Sequence, residues 1–402
     1  MEQKNKRPGL FFIWLMVFVL LFGIWTPVSA VETDPANRPA LPMPPENHAQ
    51  AAALIDVASG RLLYSKNGDE RMRIASLTKV MTAIVAIEHG DLKDQVKIGK
   101  NAFAKEGSSL FLKLGEEMSL ENLLYGLMLR SGNDAASAIA EHVGGSEEGF
   151  VLMMNEKAAM LGLSQTHFMN PHGLDHDDHF SSANDLAKLT AYALKNPTFR
   201  EIVKTPVKNA PNPNEKWDYK WSNKNKMLRF YEGADGVKTG YTKKAFRCLI
   251  SSATRNGQQL AAVTLNDGND WNDHANMLDY GFARFPLKQL SEKGQKIQGY
   301  SLVTGKAFSY ALADGEEERL VKKLILNKPA VPDLSFGHRG YLEISLDGSM
   351  IGKIPVFEEG SRLPEEFSFG KADRQSSAAG FERLTFWQAA GRIFKMMLEG
   401  GR

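Results

Sequence analysis

The sequence has 402 residues, of which 43% are hydrophobic and 24% are charged, a composition typical of folded globular proteins. Its 49 Lys and Arg residues nearly balance its 47 Asp and Glu residues, which excludes the basic surplus of a nucleic-acid-binding chain. Cys248 is the single cysteine, so an internal disulfide is excluded. We expect this residue, in the apolar stretch Cys248-Leu249-Ile250, to be a small buried side chain.

The first thirty residues have the layout of a secretory signal peptide. Three basic residues within 4–7 precede an apolar run over 10–25, and 28–30 supply small residues for cleavage. An uncleaved anchor is the alternative, because this run approaches the minimum length of a membrane-spanning helix. Under both interpretations the protein acts outside the cytoplasm. A proline-rich spacer is predicted over 31–50.

From residue 51 onward the pattern predicts a domain that contains both strands and helices. The predicted β-hairpin covers 51–65, and the broad apolar surface of 76–88 predicts a helix that is buried on nearly all sides. Further helices are predicted at 121–130, 135–142, 184–195 and 271–284, and further strands at 236–242, 247–254 and 258–266. Beyond the catalytic domain, predicted over 51–288, alternation and turn residues indicate a small β-sandwich-like domain over 289–372.

The final segment, 373–402, is predicted to be a linker followed by an amphipathic helix. From Phe381 to Arg402, aromatic and aliphatic side chains share one face and mostly basic residues share the other. Such a helix is suited to a membrane interface. Docking on the protein's own surface is the alternative, but the Ser, Ala and Gly residues that precede the helix favour the membrane surface. We therefore expect a peripheral protein on the extracytoplasmic face of the membrane, or a secreted one.

The first chemical motif is Ser76-Leu77-Thr78-Lys79, at the start of the apolar helix. A serine hydroxyl needs a nearby base, and positions i and i+3 share a helix face, so Lys79 can reach Ser76. Burial lowers a lysine pKa towards the range of a useful base. A second Ser-x-x-Lys, at 368–371, has no apolar helix after it, and we assign it no function.

Two further motifs follow in the chain. Ser131-Gly132-Asn133 lies at a break between helices, where a hydroxyl can relay a proton and an amide can bind a peptide-like substrate. Lys238-Thr239-Gly240 lies on a late strand, where a cation and a hydroxyl can bind a carboxylate. Glycine there allows a ligand backbone to approach and pair with the strand.

These three motifs in this order resemble the signature set of penicillin-binding proteins and serine β-lactamases. Residues 51–284 are similar to the low-molecular-weight D-Ala-D-Ala carboxypeptidases of the peptidase S11 family. Within this range, 73–75, just before Ser76, and 170–174, in the middle of the domain, also resemble that family. The segment 266–271 most resembles the sporulation branch. The resemblance implies an α/β (α+β) domain with a mainly antiparallel sheet, helices on both faces and a helical lobe beside it. The active site would lie between the sheet edge and this lobe.

The resemblance also implies a role for each residue of the first two motifs. Ser76 is the acyl-ester nucleophile that attacks the carbonyl between two D-alanines, and Lys79 accepts its proton. Ser131 relays a proton to the leaving group, and Asn133 holds the substrate amide. The middle motif has Gly132 where many β-lactamases have Asp, and no separate deacylating Glu is recognisable. Efficient β-lactam hydrolysis is therefore not expected.

The third motif is implied to hold the carboxyl end of the substrate. Lys238 and Thr239 bind the terminal carboxylate, and Gly240 lets the substrate backbone approach. The backbone N–H groups of Ser76 and Tyr241 form the oxyanion hole. The implied partners are peptidoglycan stem peptides ending in D-Ala-D-Ala, with β-lactam antibiotics as covalent inhibitors. No cofactor and no metal are expected.

Three other functions are left open by the sequence. A DD-endopeptidase, which cuts peptidoglycan cross-links, would use the same residues. A metal hydrolase would draw ligands from the histidines and aspartates of 172–179, although an irregular loop sets no defined ligand geometry. A non-catalytic peptidoglycan-binding protein would not need the complete motifs.

Overall fold

The computed structural model describes residues 43–327 and 337–363. The predicted signal peptide, most of the spacer, the second Ser-x-x-Lys and the terminal amphipathic helix lie outside these residues. Between 43 and 363, leaving out 328–336, we find no helix with the length and apolarity that crossing a bilayer requires.

The chain forms fifteen strands and eight α-helices within the described residues. The strands are β1 (Ala51–Asp56), β2 (Leu62–Lys66), β3 (Gln95–Lys97), β4 (Glu117–Ser119), β5 (Val207–Ala210), β6 (Tyr219–Ser222), β7 (Ala234–Thr242), β8 (Phe246–Arg255), β9 (Gln258–Leu265), β10 (Leu287–Ser291), β11 (Leu302–Thr304), β12 (Phe308–Ala311), β13 (Leu320–Leu326), β14 (His338–Leu346) and β15 (Ser349–Glu358). The helices are α1 (Lys79–His89), α2 (Leu120–Tyr125), α3 (Asn133–Gly144), α4 (Glu147–Met160), α5 (Ala183–Ala193), α6 (Pro197–Lys204), α7 (Met227–Phe230) and α8 (Asp270–Arg284). Short helical turns lie at Ala75–Thr78, Gly126–Arg130 and Glu317–Arg319.

The central sheet is antiparallel, with the strand order β2-β1-β9-β8-β7. Its middle strands are apolar on both faces because helices cover both. In β1, Ala53 and Ile55 face the core under the helical lobe, whereas Ala52 and Leu54 face α8. The sheet therefore separates two cores, and β7 is left as an edge strand.

The helical lobe surrounds α1, in which every residue from Lys79 to Ala86 is buried. The predicted burial on nearly all sides is confirmed. The predicted helix over 76–88 was only partly right at its start, because Ala75–Thr78 forms a 3-10 turn and the α-helix begins at Lys79. The predicted hairpin at 51–65 and the three later strands are present with shifts of a few residues.

A second, smaller group of strands follows α8. The sheet β11-β15-β14-β13 packs on the pair β10–β12 around a common apolar core. This layout agrees with a small β domain, whose predicted bounds stay a prediction.

Arg61, in the turn between β1 and β2, joins this part to the catalytic part. Its guanidinium forms two hydrogen bonds with the Glu316 carboxylate, of 2.6 and 2.8 Å, and lies over the rings of Phe285 and Tyr310.

Candidate active site

Ser76 lies in the 3-10 turn that leads into α1, and two side chains support this turn. Thr78 Oγ1 donates to the Ala75 carbonyl at 2.9 Å, and His179 Nε2 lies 2.8 Å from Thr78 Oγ1. The Met169 N–H donates to His179 Nδ1, so Nε2 carries the ring hydrogen and donates to Thr78. Burial lowers the pKa of His179 to about 3, which keeps it in this neutral form.

Lys79 is fully buried one residue beyond this turn, and its amine has three neighbours. Nζ lies 2.7 Å from Asn133 Oδ1, 2.6 Å from the His172 carbonyl and 3.0 Å from Ser76 Oγ. The first two oxygens can only accept, so they take the two N–H bonds of a neutral amine. The nitrogen lone pair is then left for the Ser76 hydroxyl proton.

The pKa of Lys79 favours this neutral amine. Burial lowers it well below the ordinary value of 10.5, and the positive charges of Lys238 and Lys224 lower it further. The expectation that burial would lower the pKa of this lysine is therefore confirmed. The pair has the geometry of an activated nucleophile, because base and hydroxyl are within hydrogen-bond distance.

The motif Ser131-Gly132-Asn133 lies at a break between helices of the lobe and places Asn133 beside Lys79. A π-helical turn ends at Arg130, Ser131 adopts a left-handed conformation with φ of 67°, and α3 begins at Asn133. Asn133 Nδ2 donates to the Glu106 carbonyl at 2.6 Å, which fixes the amide with its oxygen towards Lys79.

Asp134, which follows this motif, is a functional-site residue that sequence reasoning missed. It is 1% exposed, and its carboxylate accepts hydrogen bonds from Ser109 Oγ and from the backbone of Leu110 and Leu112. A buried carboxylate satisfied in this way fixes the loop beside Ser131. Its position directly after Ser-x-Asn was the signal that could have revealed it.

The loop at 170–174 packs against the turn and helix that carry Ser76 and Lys79. The sequence did not reveal this role. The His172 carbonyl accepts from Lys79, and the Pro171 carbonyl accepts from Thr82 at 2.6 Å. Gly173 has φ of +86°, and a Cβ there would lie 1.9 Å from the Ala75 carbonyl oxygen. Only glycine fits this contact.

The third motif lies on the edge strand β7, against the turn that carries Ser76. A Cβ on Gly240 would lie 3.2 Å from the Ser76 backbone nitrogen, so the strand approaches the nucleophile as closely as a glycine allows. Thr239 and Tyr241 line the cleft. The open side of β7 leaves backbone groups free to pair with an extended ligand.

Lys238 lies behind the cleft wall. It is 1% exposed, and its Nζ donates to the Thr239 carbonyl at 2.7 Å. Burial, helped by the charge of Lys224, lowers the pKa of Lys238 to about 7. Its charge can therefore change near neutral pH.

The cleft between sheet edge and lobe has a volume of about 430 Å³. Besides the predicted Ser76, Ser131, Thr239, Gly240 and Tyr241, its lining includes residues that the sequence did not single out: Ser108, Lys224, Arg247, Asp270 and Trp271. Cys248 also lines it and is 1% exposed, and burial raises its pKa to about 12. The predicted buried cysteine is confirmed. A larger groove of about 680 Å³ beside α6 contains neither the nucleophile nor its base.

The loop at 172–179 has no ligand geometry for a metal. His179 uses both ring nitrogens within the protein, and His172 Nδ1 accepts from the Leu174 N–H. Across 43–327 and 337–363, no three His, Cys, Asp or Glu side chains form a group that could hold a metal ion.

Comparisons with known proteins agree with this fold. Residues 38–269 match the model of the peptidase S11 family, described as D-alanyl-D-alanine carboxypeptidase. The D-alanyl-D-alanine carboxypeptidase DacF of Bacillus subtilis is 35% identical over 332 residues, covering 77% of this chain and 85% of the relative.

Two solved structures extend the comparison. Penicillin-binding protein 5 of Haemophilus influenzae matches with a TM-score of 0.65 and 28% identity, covering 80% of this chain and 99% of that one. A serine-to-alanine mutant of the Streptomyces K15 DD-transpeptidase matches with a TM-score of 0.57 and 34% identity, covering 60% of this chain and 99% of that one.

A cleft serine paired with a buried lysine, between an antiparallel sheet edge and a helical lobe, defines a serine acyl-transferring hydrolase with the penicillin-binding-protein fold. The chain belongs to the peptidase S11 family of D-alanyl-D-alanine carboxypeptidases. The predicted family and fold class are confirmed.

Proposed function

We propose that this enzyme removes the terminal D-alanine from peptidoglycan stem peptides that end in D-Ala-D-Ala. The observation that carries the proposal is the position of the buried Lys79 amine, 3.0 Å from Ser76 Oγ, with Asn133 Oδ1 and the His172 carbonyl as its other neighbours, in surroundings that lower its pKa. This arrangement activates a serine without a histidine or a metal.

In the acylation step, Ser76 Oγ attacks the carbonyl carbon between the two D-alanines, and its proton passes to Lys79 Nζ. The oxyanion accepts hydrogen bonds from the backbone N–H groups of Ser76 and Tyr241, which the close approach of Gly240 supports. The carbon–nitrogen bond then breaks, and the departing amine receives a proton through Ser131. Water cleaves the resulting ester and regenerates the Ser76 hydroxyl.

The substrate is held as an extra strand on the open edge of β7. Asn133 binds the substrate amide, Thr239 donates to the terminal carboxylate and Lys238 supplies positive charge from behind the wall. The volume of the cleft, about 430 Å³, suits the end of a peptide chain. A β-lactam would acylate Ser76 by the same route and remain as a slowly hydrolysed ester.

The enzyme acts at the outer face of the cell membrane under this proposal. The signal-peptide layout of 1–30 and the amphipathic pattern of 381–402 support that location. Loss of membrane binding on deleting 381–402, with catalysis intact, would support it. A role in sporulation stays a prediction from the segment 266–271.

The test is incubation with a pentapeptide muropeptide, followed by mass spectrometry, with Ser76→Ala as the control. Loss of one alanine with the unmutated protein alone is expected. If the pentapeptide stays intact while a cross-linked dimer is cut, the enzyme is an endopeptidase. If neither substrate changes and labelled penicillin does not react with Ser76, the proposal is wrong.

A further inference from the structure

Phe111 combines an unfavourable backbone conformation with an exposed aromatic ring. Its φ is +63°, in the left-handed region, and 84% of the residue is exposed. A bulky residue in this region costs about 1 to 2 kcal/mol. Its neighbours Leu110 and Leu112 are both buried, so the chain turns a phenylalanine outward between two core residues.

The conformation is fixed from within the active site. The Asp134 carboxylate accepts from the N–H groups of Leu110 and Leu112, which precede and follow Phe111, and from Ser109 Oγ. The Phe111 N–H donates to Ser109 Oγ at 2.9 Å. Within residues 110–112 these hydrogen bonds involve only backbone N–H groups, so they would form with any side chain at position 111. They therefore do not explain why a phenylalanine is found there. A ring held outward in this way suits contact with a ligand.

The segment that carries Phe111 begins at the catalytic cleft. Ser108 lines the cleft, and its carbonyl accepts from the Asn133 N–H at 2.7 Å. Phe111 is three residues further along, so its Cα is at most about 10 Å from that of Ser108. The four residues on the acyl side of a stem pentapeptide span about 13 Å when extended. A sugar attached to a stem that runs along this segment would therefore come within reach of Phe111.

A second exposed aromatic residue, Trp217, lies on a loop tied to the same segment. Lys113 Nζ lies 3.2 Å from Glu215 Oε1, two residues before Trp217, and the Tyr219 hydroxyl donates to Glu116 at 3.1 Å. Trp217 is 67% exposed. Two exposed aromatic residues therefore lie on segments that these contacts connect, and the first of these segments also contributes Ser108 to the cleft.

We propose that Phe111, assisted by Trp217, binds the sugar strand that carries the stem peptide and so gives the enzyme a preference for polymeric substrate. The C–H face of a pyranose ring is apolar, and a rigid aromatic ring offers it a flat surface at low entropic cost. This inference rests on the proposed carboxypeptidase activity and extends it from the peptide end to the polymer.

The test uses the full chain and Phe111→Asn. Asparagine tolerates the left-handed conformation, so this variant removes the ring while relaxing the backbone. Phe111→Trp retains a ring, and Leu152→Asn removes an exposed apolar side chain from α4 as a matched control. Each protein is assayed on an acylated tripeptide ending in D-Ala-D-Ala and on soluble, uncross-linked glycan chains bearing pentapeptides.

For Phe111→Asn we expect kcat/KM on the glycan chains to fall about fivefold to tenfold, mainly through KM, which corresponds to losing about 1 to 1.4 kcal/mol. Activity on the tripeptide should be unchanged, and Phe111→Trp should retain the preference. Equal losses on both substrates, or none on the polymer, would overturn the inference. So would weaker binding of Phe111→Asn to zwitterionic vesicles with unchanged polymer kinetics, because the ring would then contact lipid.

Failure of the proposed activity is separable from failure of this inference. If the unmutated protein cleaves neither substrate, the carboxypeptidase proposal fails. Isothermal titration calorimetry of the soluble glycan chains with Ser76→Ala, with and without Phe111→Asn, still measures the sugar contact directly. Equal binding by these two proteins would then reject it.

Discussion

Three buried histidines make the folded enzyme sensitive to mild acid. Burial lowers the pKa of His172 to about 2 and those of His179 and His274 to about 3, from an ordinary value of 6.5. The folded protein holds all three neutral, whereas the unfolded chain takes up their protons below pH 6.5. Holding them neutral therefore costs almost no stability above that pH, and the cost grows as the pH falls from 6.5 towards 3.

The size of the loss follows from these pKa values. At pH 5.5, one unit below the ordinary pKa, each neutral histidine costs about 1.4 kcal/mol, against about 0.2 kcal/mol at pH 7. The three together lower the free energy of unfolding by about 4 kcal/mol. Burial raises the pKa of Asp267 to about 6, and its proton uptake in the folded state offsets this loss by about 1 kcal/mol. We expect a net loss of about 3 kcal/mol.

Urea unfolding followed by tryptophan fluorescence at pH 7 and 5.5, at constant ionic strength, measures this loss. His274 lies between Ser251 and Thr264 hydroxyls, which a glutamine can also bind. His274→Gln should therefore reduce the pH-dependent loss by about 1.2 kcal/mol, whatever its effect at pH 7. His89→Gln, at an exposed site, should leave it unchanged. An equal pH-dependent loss in the unmutated protein and His274→Gln would refute the reasoning.

Further predictions concern the site and the junction with the β domain. Lys79→Met should slow acylation by labelled penicillin by about 10² to 10⁴-fold, the range of a lost general base; a normal rate would exclude Lys79 as that base. Because the pKa of Lys238 is about 7, this lysine loses its positive charge as the pH rises. The KM for a peptide with a free terminal carboxylate should therefore rise severalfold between about pH 6 and about pH 8, whereas the KM for the same peptide with a terminal amide should not. Parallel profiles would contradict this. Arg61→Met should cost about 2 to 3 kcal/mol in urea unfolding, because it removes two hydrogen bonds from the largely buried Glu316 carboxylate and leaves only the longer ion pair with Arg319, at 3.5 Å, to balance its charge. Lys296→Met, which removes an exposed pair, should cost less than about 0.5 kcal/mol, and equal costs would argue against the Arg61 assignment.

The sequence was sufficient to predict those parts of the site that depend on residue type and on short spacings along the chain. Ser76 and Lys79 are three positions apart at a helix start, and apolar content around them predicts burial. Asp134 was missed because its partners are backbone N–H groups more than twenty residues earlier in the chain; its place directly after Ser-x-Asn marks the residue but does not show these contacts. The support that His179 gives to Thr78 spans 101 positions and escaped prediction for the same reason.

The sequence analysis did not predict helix α4, for a different reason. Its buried residues Phe150, Met154 and Ala158 are spaced by four, as on one face of a helix. Leu152 and Met160 are apolar but exposed, so the apolar stripe is blurred in the sequence. Tertiary packing, not hydrophobicity alone, decides which of these apolar side chains enter the core.

The position of Arg61 has a consequence for how this enzyme family can vary. Arg61 directly precedes β2, the edge of the central sheet opposite to β7, so the smaller β domain is attached on the side away from the cleft. The Streptomyces K15 enzyme aligns over 99% of its own length with only 60% of this chain. A module attached at the far edge, through Arg61 and a small apolar contact at Ala311 and Ala313, can be gained, exchanged or lost without altering the residues that build the cleft.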